Sequence, residues 1–209
     1  AFLAGQDVAY QPIHLDARQC ADWMEHYRAG LSHGTQLCQF NQLDSHDTSR
    51  FLTLLQGDMQ RMKLAIGWLF SWIGVPCLYY GDEVGLAGEN DPFCRAPFPW
   101  DQSRWNGELL AHTQQLARLR QQSPALRRGA LQMLHAQKET LVFVRVLEDE
   151  RILVAIQREG DAELTLPSDP LLSCRTWTRL LGQGQLDTTG DYTLQLTAGD
   201  ITLFRGFSE

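Results

Sequence analysis

Gln39-Phe40-Asn41-Gln42-Leu43-Asp44-Ser45-His46-Asp47-Thr48-Ser49-Arg50 reads as a short buried strand that stops in a polar cluster. The residues from Leu43 to Arg50 carry two carboxylates, an imidazole, three hydroxyls and a guanidinium, with no Gly or Pro among them. A parallel strand ending this way is how α/β barrels present chemistry, at the C-terminal ends of their strands. The spacing predicts the strand over about 37–43 and the chemistry directly after it.

Downstream, Asp58 follows Gly57 as a helix N-cap. Met59, Met62, Leu64, Ala65, Ile66, Trp68, Leu69, Phe70 and Trp72 occupy most faces of the helix that follows, so it is expected to be buried on more than one side. Gly74 ends it, Val75–Tyr80 is a second apolar strand, and Gly81-Asp82-Glu83 closes that strand in a second polar cluster. Strand, polar end, helix, strand, polar end is the βαβ pattern of a parallel sheet, with both chemical ends on one side. Residues 85–107 form a long loop rich in Gly, Pro, Trp and charge, of a length that is usually functional or disordered. A helix is predicted over about 108–122. Upstream, 1–15 is an extended lead-in. Asp16 then caps a helix whose apolar face is Cys20, Trp23, Met24, Tyr27 and Leu31, ended by Gly30 or Gly34.

After Ser123-Pro124 the pattern changes to short strands with turn signals, at 130–137, 140–147, 151–158, 162–166, 175–181 and 192–204. Alternation in Leu141-Val142-Phe143-Val144-Arg145-Val146 predicts an antiparallel β-sandwich. The expected division is an α/β domain over 1–126 and a β-sandwich domain over 127–209.

The chain has 209 residues, 44% hydrophobic and 21% charged, with a net charge of −7, a composition that fits a soluble globular protein. The acidic balance argues against nucleic acid or an anionic membrane as main partner, since both attract basic faces. The five cysteines (Cys20, Cys38, Cys77, Cys94, Cys174) are odd in number and show no C-x-x-C pair, which predicts free thiols in a reducing cytoplasm, mostly as small buried side chains. The most apolar run, Leu64–Tyr80, is broken by Gly67, Gly74 and Pro76 and predicts no membrane span.

His46-Asp47 admits two readings from its residues alone. One is a capped strand-to-helix turn; the other is a pair of sugar-hydroxyl ligands whose hydrogen bonds strengthen as a ring flattens toward an oxocarbenium ion. Arg50 is expected to keep a nearby carboxylate ionised. Asp91 and Arg95, four apart in the long loop, are by themselves an ordinary surface ion pair of small energetic weight.

Three motifs in order resemble the α-amylase family of glycoside hydrolases. Asn41–Asp47 resembles the family's seventh-strand motif, which ends in His-Asp. Gly74-Val75-Pro76-Cys77-Leu78-Tyr79-Tyr80-Gly81-Asp82-Glu83-Val84-Gly85 resembles its eighth-strand signature. Gly88, Asp91-Pro92, Arg95 and Trp100 fit the following loop of the cyclomaltodextrinase and neopullulanase branch. The resemblance implies the last part of a (β/α)8 TIM barrel, its strands 7 and 8 with flanking helices, followed by a β-sandwich. It implies a retaining α-glucosidase acting on α-1,4 bonds of short maltodextrins, with no cofactor or metal. In that reading Asp47 is the transition-state-stabilising carboxylate, His46 binds the same sugar, and Asp91 and Arg95 bind the next sugar outward. Glu83 is given a structural role, and Trp100 and Trp105 are left between sugar stacking and packing.

Retaining hydrolysis also needs a nucleophile and an acid/base. In this family they come from strands 4 and 5, and neither motif is found here. The expectation is therefore a piece of a longer enzyme, inactive alone, and the resemblance implies a homodimer when whole. The alternative is a non-catalytic glucan-binding or structural module of the same ancestry.

Overall fold

The computed structural model describes residues 1–208. Its first half runs α1 (Ala17–Ala29), α2 (His33–Cys38), β1 (Phe40–Gln42), α3 (Phe51–Leu54), α4 (Met59–Ser71), β2 (Val75–Cys77), α5 (Gly107–Gln122) and α6 (Pro124–Arg128). Asp16 caps α1 as expected, accepting from Gln19 N while the Gln19 side chain accepts from Asp16 N in a capping box. Asp58 caps α4 by accepting from Arg61 N.

β1 and β2 are parallel neighbours, with Phe40 opposite Val75 and Gln42 opposite Cys77. Both strands are shorter than predicted. Leu37 and Cys38 belong to α2, because Ser32 caps a helix there by accepting from Thr35 N, and Gly34 lies inside that helix rather than ending one. Leu78–Tyr80 continue past the ladder because β1 offers only three partners. Among the described residues the outer edges of this two-stranded sheet have no partner strand. Phe40 is 65% exposed and Val75 47%, the open edge that a two-strand remnant would present.

The apolar face read from α1 is also only partly buried. Ala17 and Ala21 are packed, whereas Trp23 is 72% exposed and Tyr27 67%. Cys20, Met24 and Tyr27 of that face border a 430 Å³ cavity, also lined by Phe2, Asn41, Trp68 and Trp72.

The second half comprises β3 (Ala130–Gln137), β4 (Thr140–Leu147), β5 (Glu150–Gln157), β6 (Ala162–Thr165), β7 (Trp177–Leu181), β8 (Gln185–Asp187), β9 (Thr193–Leu196) and β10 (Asp200–Phe207). They form antiparallel sheets ordered β3-β4-β5-β10-β7 and β6-β9-β8. The single strand predicted over 192–204 is two strands, divided by a turn in which Gly199 takes φ 69°. β8 went unread because only three residues separate the Gly182-Gln183-Gly184 turn from the next one.

The larger sheet is buried on both faces. Leu141, Phe143, Ile152, Val154, Ile156, Ile201 and Leu203 point into one core shared with Met62, Leu64, Ile66, Leu109 and Leu116 of the helices. Val142, Val144, Leu153, Ala155 and Phe204 point the other way, onto Leu194 and Leu196 of the smaller sheet. This is the period-2 alternation of strands with both sides occupied. At the contact of α4 with β10, a Cβ built on Gly67 would lie 2.7 Å from Ile201 Cγ2, so only glycine permits this approach. Arg145, wholly buried, donates from Nη1 to Ser71 O (2.8 Å) and from Nη2 to Gly129 O (2.8 Å), tying the end of α4 to the start of β3.

Candidate active site

The polar clusters after β1 and β2 lie side by side because the two strands are parallel and in register. The loop after β2 carries three 3-10 turns, Asp82–Val84, Phe93–Arg95 and Gln102–Arg104, of which the second is bonded back to the loop after β1. Gly81 and Gly85 flank the first with φ of 92° and 81°, a left-handed conformation that favours glycine. Gly88 sits where any Cβ would lie 2.5 Å from Phe93 O, so the loop doubles back tightly.

His46, Asp47, Asp91 and Arg95 come together in one exposed group. His46 Nε2 lies 3.3 Å from Asp47 Oδ2. Arg95 reaches three of its neighbours: Asp91 Oδ1 at 3.0 Å, Asp47 Oδ1 at 3.6 Å, and the His46 carbonyl, to which its Nε donates at 3.0 Å. Cys94 Sγ donates to the same carbonyl at 3.3 Å. The i,i+4 ion pair read from the sequence therefore exists, and its arginine also bridges to the loop after β1. The side chains of Asp47 and His46 are 68% and 63% exposed, open to a ligand.

Beneath this group lies a buried layer that the sequence reading missed. Arg50 is fully buried. Its Nε donates to Cys94 O (2.9 Å) and its Nη1 to Tyr80 O (2.6 Å), and the same Nη1 stands 3.5 Å from Asp82 Oδ1. The guanidinium carbon lies 3.9 Å from the centre of the Tyr79 ring and 4.5 Å from that of Tyr80, in cation–π contact with both. Asp44, also buried, accepts from Phe51 N at 2.6 Å and so holds the start of α3.

Asp44 and Asp82 are a buried carboxyl pair. Burial, then the charge of Asp44, push Asp82 up to about 9. Burial likewise raises Asp44, against the Phe51 hydrogen bond and the Arg50 charge. Two neighbouring carboxylates cannot both ionise out of water, so the pair holds one proton near neutrality. Arg50 thus stands beside this pair, where its charge favours the ionised member as expected while burial keeps the other carboxyl protonated. The cation beside Asp47 is Arg95.

Glu83 accepts from Gly81 N at 2.9 Å, a turn-closing contact. Trp105 Nε1 donates to Pro99 O, and its ring packs on Phe98, whereas Trp100 is 82% exposed. The cysteines are free, but only Cys94 is buried; Cys38 is exposed and the others lie between. Among the described residues no group of three or more His, Cys, Asp or Glu is placed to hold a metal ion. Among them, too, no helix is long and apolar enough to cross a membrane.

Asp44, Arg50 and Asp82 all lay within the quoted polar clusters, but their burial was not legible there. Tyr10 had no signal at all. It sits in the lead-in with φ 60°, and its hydroxyl lies 2.5 Å from Ser49 Oγ, which donates to Asn90 Oδ1 (2.7 Å).

Comparison with known proteins gives this arrangement its ancestry. Residues 5–129 match the alpha amylase catalytic domain. Cyclomaltodextrinase of Geobacillus thermopakistaniensis is 39% identical over 158 residues, which is 74% of this chain and 27% of that protein. Neopullulanase 2 of Thermoactinomyces vulgaris is 36% identical over 173 residues, 78% of this chain and 30% of that protein. The debranching enzyme of Nostoc punctiforme superposes with a TM-score of 0.86 at 33% identity, over 93% of this chain and 41% of that one. The chain thus spans between about a quarter and two-fifths of the length of these relatives. With the match covering the βαβ unit, the long loop and the site between them, the chain belongs to the α-amylase family of glycoside hydrolases.

Proposed function

We propose that this chain forms one wall of a retaining α-glucan hydrolase site acting on α-1,4 bonds of short maltodextrins. In this reading 1–126 is the end of a TIM barrel, with β1 and β2 as its seventh and eighth strands, and 127–209 is the domain packed against it. The observation that carries the proposal is the convergence of His46, Asp47, Asp91 and Arg95 at the C-terminal ends of two parallel strands.

Asp47 presents a carboxylate to sugar hydroxyls, and its negative charge stabilises the positive charge that develops as the glycosidic bond breaks. His46 shares that sugar, and the imidazole is oriented by its contact with Asp47. Asp91 and Arg95 hold the next sugar outward, fixed by the Arg95 bond to the His46 carbonyl. The nucleophile and the acid/base, whose carboxyls stand ~5–5.5 Å apart in retaining enzymes, are supplied from outside these 209 residues. The names of the relatives support an α-glucan or maltodextrin as the substrate class.

The test is hydrolysis of maltotriose by protein that carries this sequence within a complete barrel, compared with the Asp47→Asn variant. Turnover should drop roughly 10²–10³-fold, the scale of losing one preorganised electrostatic group, with an unchanged fold by circular dichroism. Turnover surviving within a few-fold would remove Asp47 from the assigned role. Hydrolysis of maltotriose by the 209-residue chain alone would show that the two further carboxylates lie within it.

A further inference from the structure

Beside the cluster of His46, Asp47, Asp91 and Arg95 is a separate 290 Å³ cavity lined by Tyr10, Glu89, Asn90, Asp91 and Phe93. We propose that this cavity is an outer sugar subsite, in which Tyr10 and Phe93 present ring surfaces to one glucosyl unit and Glu89 and Asn90 meet its hydroxyls. The proposal rests on the α-glucan reading above and extends it by one position.

Size is the first argument. At 290 Å³ the space falls just short of the roughly 300–1,000 Å³ of sites for drug-sized ligands, room for one ring rather than a chain. The second argument is that the walls are fixed before any ligand arrives. The Tyr10 hydroxyl is held by Ser49, and Ser49, fully buried, donates to Asn90. Arg50 N donates to Gly88 O (2.9 Å) and Gly88 N to Thr53 Oγ1 (2.8 Å), which anchors the strand of loop that carries Glu89 and Asn90. Three segments distant in sequence are thereby pinned around one hollow.

The third argument is chemical. Phe93 is 64% exposed, unusual for a ring in a loop otherwise tied down, and it stands at the edge of a polar hollow. Aromatic faces beside carboxylates and an amide match a sugar, with its apolar ring face and rim of hydroxyls. An anionic ligand would be repelled by Glu89 and Asp91, and the nearest cation, Arg95, is already paired with Asp91 and Asp47. Asp91 is common to both sites, so a sugar chain lying along the cluster would enter this hollow with its next unit.

The experiment is an NMR titration with maltotriose of ¹⁵N-labelled protein that carries this sequence within a complete barrel, followed at the amides of Tyr10, Gly88, Glu89, Asn90, Asp91 and Phe93. Maltotriose should shift these amides, and Phe93→Ala, at an exposed side chain, should weaken the binding roughly 3- to 10-fold, the scale of one lost ring contact. Tyr10→Phe should keep the ring and bind within about 3-fold, a smaller loss than Tyr10→Ala. The same shifts should persist in Asp47→Asn, which separates this subsite from the reading of Asp47. Shifts confined to His46 and Asp47, shifts unchanged by Phe93→Ala, or no shift at millimolar maltotriose would each overturn the subsite. The hydrolysis assay would still decide the role of Asp47. Equal shifts with calcium chloride and none with maltotriose would overturn it in favour of a cation.

Discussion

Asp82→Asn removes the proton shared by the buried carboxyl pair, and the effect should appear as a change in how stability varies with pH. In the folded chain Asp82 is protonated up to about 9, whereas an unfolded aspartate ionises near 4. Between those limits the folded state holds one proton more than the unfolded state. Stability therefore falls as pH rises, by up to about 1.4 kcal/mol per pH unit, and the loss is complete once the folded carboxyl itself ionises. This is opposite in sign to a salt-bridged carboxylate, whose contribution is lost as pH falls. Asparagine keeps the shape of the neutral acid, does not titrate, and leaves Asp44 as the one carboxylate facing Arg50. The unfolding free energy of the variant minus that of the native chain should then rise by roughly 2–3 kcal/mol between pH 5 and pH 7. Urea denaturation followed by tryptophan fluorescence at pH 5, 6, 7 and 8 measures it. Parallel pH profiles for the two proteins would refute the shared proton.

Gly67→Val should destabilise by about 1–3 kcal/mol, because the new side chain meets Ile201 where α4 crosses β10; an unchanged urea midpoint would mean the contact relaxes freely. Arg95→Ala, in a complete barrel, should raise KM for maltotriose roughly 10-fold or more while kcat falls less, since it removes charged hydrogen bonds at the outer sugar. Equal affinity for maltotriose in both proteins would count against that role. Phe40→Lys on the open edge of β1 should leave stability within about 0.5 kcal/mol and reduce self-association seen by light scattering; unchanged association would place the adhesive surface elsewhere.

The elements that were legible from the sequence are those with a local cause. Asp16 and Asp58 announce their helices through caps, and Leu141–Val146 announces a strand through alternation. That the polar clusters after β1 and β2 adjoin could be anticipated because two strand ends in one parallel unit must share a side, whereas the place of Asp91 and Arg95 beside them was implied only by the family resemblance. What could not be read depends on contacts between distant segments. The lengths of β1 and β2 are set by each other, and the exposure of Trp23 and Tyr27 by which side of α1 its neighbours meet. The burial of Arg50 and the raised Asp82 depend on three segments closing together, and a polar residue in a polar run carries no mark of that. Tyr10 reaches Ser49 from 39 positions away, with no periodicity to betray it.

The sheet of β3, β4, β5, β10 and β7 has a thermodynamic consequence. One of its faces completes the hydrophobic interior under α4 and α5, and the other completes the layer closed by β9. Neither half can lose its structure without wetting a side of the same five strands. A boundary that looks natural along the chain near residue 126 is therefore not a seam in energy. Heating should melt the molecule in a single cooperative step, and protease cleavage in that stretch should release no half that keeps its shape.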